Sequence, residues 1–198
     1  FEKKETRYDF LGASKSLDLL YEDENILLLN KKAGLLSHPD DGEYVDTLIT
    51  RVKRYLYETG DYRPDDAQSF TPALVNRIDR NTGGIVIAAK NAEALRILNQ
   101  KLKDREIKKH YLCVVIGRPP KTADTLTAYM TKDEKKNKVT VFDSPAPGAK
   151  TMVTRYTVLQ SAKGLSLCEV ELLTGRTHQI RAHLAHVGAP LLGDGKYG

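Results

Sequence analysis

The sequence predicts an α+β fold in which a largely antiparallel, mixed sheet is flanked by helices. Three observations lead to this class. Short apolar segments of strand length recur along the chain, polar turns separate them, and only a few intervening segments show helical periodicity. With 198 residues, 40% hydrophobic and 29% charged, the chain has the length and composition of one globular domain with a substantial core.

The first part of the chain carries a hairpin signal followed by a helix. Two apolar stretches, Leu17–Tyr21 and Ile26–Asn30, flank a polar turn, which predicts two antiparallel strands. Apolar residues then recur at helical spacing from 45 to 56, with basic residues on the remaining surface. Gly60 is expected to end this amphipathic helix, and a polar loop over 60–72 follows.

The rest of the chain predicts further strands and two helices. After a glycine pair, the run IVIAAK is of strand length, and Asn91 is expected to cap the helix behind it. In the last helix Ile180, Leu184 and Val187 are expected to face inward, and Gly188 to end it. Further strands are predicted in the segments IKKHYLCVVIG, KVTVF, RYTVLQ and LSLCEVELL.

Composition excludes several classes of protein. No apolar stretch approaches the roughly 20 residues of a membrane-spanning helix. Cys113 and Cys168 lie in apolar alternating stretches, which indicates small buried hydrophobes and not a disulfide or a nucleophile. We therefore expect a soluble protein of the reducing cytoplasm. Phe1 stands where an initiator methionine would, which indicates a trimmed sequence.

The basic charge is concentrated after the first third of the chain. Residues 1–66 hold 10 basic and 15 acidic side chains, whereas residues 67–198 hold 21 and 11, within a formal net charge of +5. This asymmetry fits a surface that faces a polyanion, and solvated lysines on an ordinary surface fit it equally well. A candidate phosphate track consists of Lys101, Lys103, Lys108 and Lys109.

One aspartate stands between two arginines in the segment VNRIDRNTGG. If the stretch is extended, Arg77 and Asp79 share a face and Arg80 points elsewhere. A nearby guanidinium would keep a nucleophilic carboxylate ionised, but a structural salt bridge has the same spacing, so both interpretations stand. Gly83 and Gly84 are expected to form a turn with positive φ.

The segment LVNRIDRNTGGIVIAAK resembles the catalytic motif of the RluA-like family of RNA pseudouridine synthases, H-R-L-D-x-x-T-S-G followed by an apolar strand. Three more segments occur in the family's order: Glu22–Pro39, Lys108–Gly117 and Leu172–Gly198. The resemblance implies the pseudouridine synthase fold and an isomerase that converts uridines of structured RNA into pseudouridine. It implies ribosomal RNA more than transfer RNA as substrate, with no cofactor, metal, membrane or obligate protein partner.

The resemblance also assigns roles to individual residues. It implies Asp79 as the nucleophile, Tyr111 as the active-site tyrosine and Arg176 as the ionic partner of Asp79. A carboxylate can bond to the sugar and leave again without a metal, and the target uridine must be flipped out of a helix. The RNA-binding residues expected are Arg77, Arg80, Lys108, Lys109 and Arg181, where Arg181 suits either a phosphate or a carboxylate near its helix.

Three positions leave the family pattern: Asn76 replaces a usual histidine, Gly83 a usual serine, and Lys32 a common proline. We expect residues 1–16 to be a linker or N-terminal extension and residues 17–198 to be the catalytic domain. The small RNA-binding domain that often precedes it is expected to be absent. A further strand that usually follows the segment GDGKYG in the family is also expected to be absent.

Two other functions compete with this interpretation. A non-catalytic RNA-binding or RNA-folding protein on the same scaffold would tolerate loss of the three catalytic residues, and all three are present. A carboxylate hydrolase acting on a nucleoside or sugar would need a second acid, and no Asp or Glu stands out as that partner. The last segment also holds a group of histidines, His178, His183 and His186, expected to be framework residues and not metal ligands.

Overall fold

A computed structural model describes residues 7–198 of the protein. The chain divides into two compact units, the first ending at Asp104 and the second running from Arg105 to Gly198. Each unit holds one sheet, and every strand pairing in residues 7–198 is antiparallel. The predicted α+β class is confirmed, with the strands divided between two sheets.

The first unit contains four strands and two helices. Its sheet has the order β1-β2-β4-β3, so that β4 lies between the predicted hairpin and the short strand β3. The elements are β1 (Leu19–Glu22), β2 (Ile26–Lys31), α1 (Leu48–Thr59), β3 (Ala73–Leu74), β4 (Gly84–Ala89) and α2 (Ala92–Lys103), preceded by a 3-10 turn at Asp9–Gly12.

Local sequence signals fix the ends of both helices. Thr47 is the N-cap of α1 and forms a capping box with Thr50. The Thr47 side chain accepts the Thr50 amide, and the Thr50 side chain accepts the Thr47 amide. Gly60 ends α1 in the left-handed region at φ 89°, as predicted. Asn91 caps α2 by accepting the Ala94 amide at 2.8 Å.

The core of the first unit lies between the sheet and α1. Leu27 and Leu29 of β2 point into it by strand alternation, and Val52 of α1 packs in the same cluster. Phe10 of the 3-10 turn belongs to this cluster as well and is nearly fully buried. The 3-10 turn is therefore part of the first unit's packing.

The second unit is a five-stranded sheet covered by one helix. Its strand order is β5-β9-β8-β6-β7, and α3 packs on β7 and β8. The elements are β5 (His110–Ile116), β6 (Ala123–Asp133), β7 (Lys138–Phe142), β8 (Lys150–Ala162), β9 (Leu165–Leu172) and α3 (Gln179–His186). Strand β6 was not predicted from the sequence, because its Thr, Ala and Asp residues carry little apolar contrast.

Both cysteines are free thiols inside the second sheet. Cys113 of β5 stands directly opposite Cys168 of β9, and Cys168 is fully buried. Burial raises the pKa of Cys113 to about 12, so its thiol stays protonated at neutral pH. The predicted burial is confirmed for Cys168, whereas Cys113 is partly exposed, and neither cysteine forms a disulfide. Separately, none of the helices within residues 7–198 has both the length and the apolar character needed to cross a bilayer.

Candidate active site

Asp79 lies in the loop between β3 and β4 of the first unit. Strand β3 ends at Leu74, so the stretch from Arg77 to Asp79 is irregular and not the extended strand that a shared face would require. Asp79 is half-buried, and its carbonyl accepts the Thr82 amide at 3.0 Å in a tight turn. The position of the carboxylate therefore depends on what holds this loop.

Asn76 fixes the beginning of the loop against β4. Its Oδ1 accepts the Ile87 amide at 2.8 Å, and its Nδ2 donates to the Ile85 carbonyl at 3.3 Å. The Val75 amide donates to the Ile87 carbonyl at 2.8 Å. The asparagine side chain thus continues the ladder between β3 and β4 beyond the end of β3, which gives this departure from the family motif a structural role.

The loop that follows β2 holds the residues on both sides of Asp79. Ser37 Oγ donates to the Ile78 carbonyl at 2.9 Å and accepts the Ile78 amide at 3.4 Å. The Gly34 amide donates to the Arg80 carbonyl at 2.8 Å, and Arg80 Nε donates to the Gly34 carbonyl at 3.1 Å. Asp79 is therefore presented between two backbone positions that are both hydrogen-bonded to the same neighbouring loop.

Lys31, at the end of β2, is a buried lysine beside this loop. Its side chain is inside the protein, with 1% of the residue exposed, and Nζ donates to the carbonyls of Lys32 at 3.1 Å, Leu35 at 2.6 Å and Arg80 at 3.0 Å. Burial lowers the pKa of Lys31 to about 8, and the charge of Asp79 opposes that shift. Sequence analysis missed Lys31, although the alternation Leu27, Leu29, Lys31 was a signal that it points inward.

The two glycines of the motif differ in their backbone. Gly84 has φ 133°, the conformation expected for it. Gly83 is not among the positive-φ glycines, so the prediction for Gly83 was wrong. A Cβ at Gly83 would lie 3.4 Å from the Lys31 carbonyl, which shows how closely the loop approaches the end of β2.

Arg77 and Arg80 both have exposed positions near Asp79. Burial, followed by the charges of Arg77 and Lys53, lowers the pKa of His38, so both cations lie within electrostatic range of this imidazole. A bound anion would be attracted to the exposed Arg77 guanidinium.

In the second unit, Tyr111 and the two candidate lysines lie at the start of β5. Tyr111 is partly buried and stands opposite Val170 of β9. Lys108 is exposed, whereas burial lowers the pKa of Lys109. A Cβ built on Gly175 would lie 3.0 Å from Lys109 Nζ, so this ammonium covers the backbone next to Arg176.

Arg176 lies in the loop between β9 and α3, and Gln179 organises that loop. Gln179 Oε1 accepts the Arg176 amide at 3.0 Å and the Thr174 hydroxyl at 2.8 Å, while its Nε2 donates to the Val153 carbonyl at 2.9 Å. Arg176 Nε donates to the Thr151 carbonyl at 3.0 Å. Arg176 is therefore partly buried, with its side chain anchored at Nε. No sequence signal indicated that Gln179 organises this loop.

Arg181 is engaged with a carboxylate of its own unit. Its Nε and a terminal nitrogen donate to the two oxygens of Asp194 at 2.6 and 2.9 Å, and its guanidinium lies 5.3 Å from the Tyr197 ring centre. Hydrogen bonds from Arg181 and then from backbone amides lower the pKa of Asp194 to about 2. Of the two partners that suit Arg181 by sequence, the structure shows the carboxylate.

The histidines of the last segment make separate polar contacts. His183 is buried against the Thr154 hydroxyl at 2.8 Å, and burial followed by the charge of His186 lowers its pKa to about 4. His178 contacts the Tyr197 hydroxyl at 2.8 Å, and His186 contacts Asp143 at 2.7 Å. In the part of the chain that the structure describes, no three acidic, His or Cys side chains are grouped to hold a metal ion.

Comparison with known proteins agrees with these motifs. A ribosomal large subunit pseudouridine synthase D from Borreliella burgdorferi is 32% identical over 200 residues, covering 100% of this chain and 60% of that protein. The protein of the same name from Pseudomonas aeruginosa is 34% identical over 197 residues, covering 99% of this chain and 58% of that protein. The chain thus spans about 60% of the length of these curated relatives.

The fold is similar to that of a solved human protein. Human RNA Pseudouridylate Synthase Domain Containing 4 superposes with a TM-score of 0.72 at 23% identity, covering 91% of this chain and 69% of that one. The family model described as RNA pseudouridylate synthase matches residues 25–186. That match includes the Asp79 loop, β5 and the Arg176 loop, and the chain therefore belongs to the RNA pseudouridylate synthase family.

Proposed function

We propose that this chain is the catalytic part of an RNA pseudouridine synthase that isomerises uridines of ribosomal RNA, with Asp79 as the nucleophile. The observation that carries the proposal is the presentation of Asp79: the residues on both sides of it, Ile78 and Arg80, are hydrogen-bonded to the loop after β2. A carboxylate that attacks one sugar carbon must be held in one orientation, and hydrogen bonds that fix the backbone on both sides of it provide that orientation. Family membership supports the same reaction.

The reaction that Asp79 would serve is an isomerisation. The bond from uracil N1 to ribose C1′ breaks, the carboxylate bonds to or stabilises the intermediate, the base turns, and C5 bonds to C1′. The proton on C5 is lost and N1 gains one, so atoms and charge balance without a cofactor. From the family resemblance we propose Tyr111 as the residue that packs on the uracil near C5, and Arg176 as the cation that keeps Asp79 ionised.

RNA would be held by the basic side chains that the structure leaves exposed. Arg77, Arg80 and Lys108 are exposed, and Arg77 shares its surroundings with His38 and Lys53. Such groups bind phosphates without reading sequence, and a guanidinium can also support a base that has left the stack. Lys109 and Arg181 remain proposed RNA contacts. For Arg181 this requires that a phosphate share its guanidinium with Asp194.

Ribosomal RNA is the substrate we propose, because two of the curated relatives are named for the large ribosomal subunit. We further propose residues 17–198 as the catalytic domain, with the preceding 3-10 turn at Asp9–Gly12 packed against it through Phe10. The two free thiols fit the reducing cytoplasm as the place where it acts.

The decisive experiment compares the parent with Asp79→Asn. The asparagine keeps the size of the side chain but lacks the charge of a nucleophile, so we expect normal folding, normal RNA affinity and no pseudouridine. Tritium release from RNA labelled at uracil C5 measures turnover, and a melting curve measures folding. Release at the parental rate would show that Asp79 is not the nucleophile. A parent that binds RNA and releases no tritium would favour a non-catalytic RNA-binding role.

A further inference from the structure

We propose that a cleft beside the Asp79 loop holds a second nucleotide of the substrate RNA, and that Glu43 in this cleft recognises a base that carries an amino group. The inference rests on the proposed function, since it takes RNA as the substrate. It goes further by assigning a site for a nucleotide other than the target uridine. The cleft lies entirely within the first unit.

The size and position of the cleft suit one nucleotide. Its volume is about 300 Å³, at the small end of the range for ligand sites. One wall is the loop over residues 32–36 after β2, and the other walls are formed by Glu43, Asp46, Arg51 and Arg80. Arg80 directly follows Asp79 in the chain, so a nucleotide bound in the cleft would lie close to the target uridine.

Two of the charged side chains in the walls are engaged with each other. Arg51 donates its Nε and one terminal nitrogen to the two oxygens of Asp46, both at 2.7 Å. Its other terminal nitrogen donates to the Ser16 carbonyl at 2.8 Å, so every nitrogen of Arg51 has a partner. This pair forms a fixed wall of the cleft. The charged groups that remain for a ligand are those of Glu43, Lys32 and Arg80.

Glu43 is held by one oxygen and has the other available. Its Oε1 accepts the Val45 and Asp46 amides, both at 2.9 Å, and the residue is half-buried. Within residues 7–198, Oε2 has no hydrogen-bond donor from the protein. A carboxylate oxygen only accepts hydrogen bonds, so it suits the amino group of adenine, cytosine or guanine, whereas uracil has no amino group. Glu43 is therefore a fixed acceptor for an amino-bearing base.

Two exposed cations of the cleft are placed for the phosphate of such a nucleotide. Arg80 is anchored through Nε to the Gly34 carbonyl at 3.1 Å, and its terminal nitrogens have no partner in the described part of the chain. Lys32 pairs with Asp18 at 2.7 Å, which uses one of its three N–H donors. Because the Glu43 carboxylate repels a phosphate, we expect the base in the cleft and the phosphate at its exposed rim. Lys32 stands where the family commonly has proline, so this cation is a departure from the family pattern.

The first experiment compares the RNA affinities of Glu43→Gln and a control, Glu24→Gln. Glutamine keeps an oxygen for the Val45 and Asp46 amides and replaces Oε2 by an NH₂ donor, so the fold should be retained. Glu24 lies in the exposed turn between β1 and β2, outside the cleft, and its substitution removes the same charge.

The two variants should change RNA affinity in opposite directions. Loss of a negative charge favours a polyanion, so Glu24→Gln should bind a large-subunit ribosomal RNA transcript as well as the parent or better. Glu43→Gln should bind it about tenfold more weakly, because a donor now faces the amino group of the base. Filter binding measures both affinities. Unchanged or stronger binding in Glu43→Gln would overturn the proposal.

The second experiment uses the parent protein, so it does not depend on the folding of a variant. Cytidine and uridine 5′-monophosphates are titrated into ¹⁵N-labelled protein, and NMR follows the amides of residues 33–36. We expect the cytidine nucleotide to bind about tenfold more tightly than the uridine nucleotide. Equal affinities, or no shifts at residues 33–36, would contradict the proposal.

Addition of the ribosomal RNA transcript should then displace the cytidine nucleotide from the cleft. If the nucleotide stays bound, the cleft takes a free nucleotide and the assignment to substrate RNA is wrong. Neither experiment measures turnover, so both are independent of Asp79. Pseudouridine formation at the parental rate in Asp79→Asn would overturn the proposed nucleophile and leave the nucleotide cleft in place.

Discussion

Ser37 hydrogen-bonds both backbone groups of Ile78: its Oγ donates to the carbonyl at 2.9 Å and accepts the amide at 3.4 Å. One hydroxyl thereby fixes the residue that precedes Asp79, just as the Gly34 amide and Lys31 fix the residue that follows it. The contact contains no charge, so it tests the contribution of the backbone alone.

For Ser37→Ala we expect the free energy of unfolding to fall by about 1–2 kcal/mol, since the buried backbone groups of Ile78 lose their partner. The rate of pseudouridine formation should fall as well, with RNA affinity retained. Urea denaturation and single-turnover assays measure the two effects. Ser69→Ala is the control, because the Ser69 hydroxyl also accepts one backbone amide, that of Arg63 at 3.0 Å, in another loop. Equal rates in the two variants would argue against the role of Ser37.

Arg176 should matter for catalysis far more than for folding. Arg176 is partly buried and its Nε donates to the Thr151 carbonyl, so Arg176→Ala should lower the free energy of unfolding by about 1 kcal/mol, the scale of one hydrogen bond. Arg176→Lys keeps the charge and loses the planar fork, and should be impaired as well. Arg155→Ala, which removes an exposed arginine paired with Glu171 at 2.8 Å, is the control. Parental turnover in Arg176→Ala would remove Arg176 from the mechanism.

The pair of Arg181 and Asp194 should make the second unit sensitive to acid. The Asp194 carboxylate is 5% exposed and has a folded pKa of about 2, below its ordinary 3.8, so it stabilises the fold fully above about pH 4. That contribution is lost as the pH falls from about 4 towards 2.

Asp194→Asn should therefore lower the free energy of unfolding at pH 7 by on the order of 2 kcal/mol. The difference from the parent should shrink as the pH falls from about 4 to about 2. Urea denaturation at neutral pH and at two acidic values within that window measures it. A difference that is the same at all three pH values would mean that the carboxylate charge is not what stabilises this corner.

Most elements of the fold could be predicted because their signals are local. The hairpin of β1 and β2, the capped helices α1 and α2 and the strand β4 depend on alternation, caps and glycines that can be read within a few residues. Strand β6 escaped prediction because its inward row includes Asp124 and Ala128, which weakens the apolar alternation, and no long apolar run marks it. Its pairing with β7 and β8 gives it the strand conformation.

The candidate site shows where sequence signals end. The motif identified Asp79 but did not predict that its loop is irregular. Beyond the end of β3, the side chain of Asn76 makes the hydrogen bonds to β4 that a strand backbone would otherwise make. Lys31 was visible as an inward position, yet the three carbonyls it binds come together only through the path of two loops. The positive φ predicted for Gly83 was wrong, because Gly84 alone of the two glycines adopts that conformation at the start of β4.

RNA binding should depend on the cations around Arg77. Arg77 is exposed, and both it and Lys53 lie in electrostatic range of His38, so a phosphate bound there would release counterions. The logarithm of RNA affinity should therefore fall steeply and linearly with the logarithm of salt concentration. For Arg77→Ala we expect weaker binding and a slope that is smaller by about 0.7 for each single-strand phosphate that Arg77 neutralises in the parent.

Lys15→Ala is the matched control for this measurement. Lys15 is exposed and pairs with Glu58 at 3.0 Å within the acidic first third of the chain, so its removal changes the net charge by the same amount. If general charge drives binding, both variants will show the same decrease in slope. If Arg77 binds a phosphate, the slope will decrease in Arg77→Ala and stay at the parental value in Lys15→Ala. The reason is that counterions are released from the phosphates that the protein contacts, and not in proportion to the protein's net charge. Filter binding at several salt concentrations measures both slopes, and equal slopes in the two variants would contradict the assignment of Arg77.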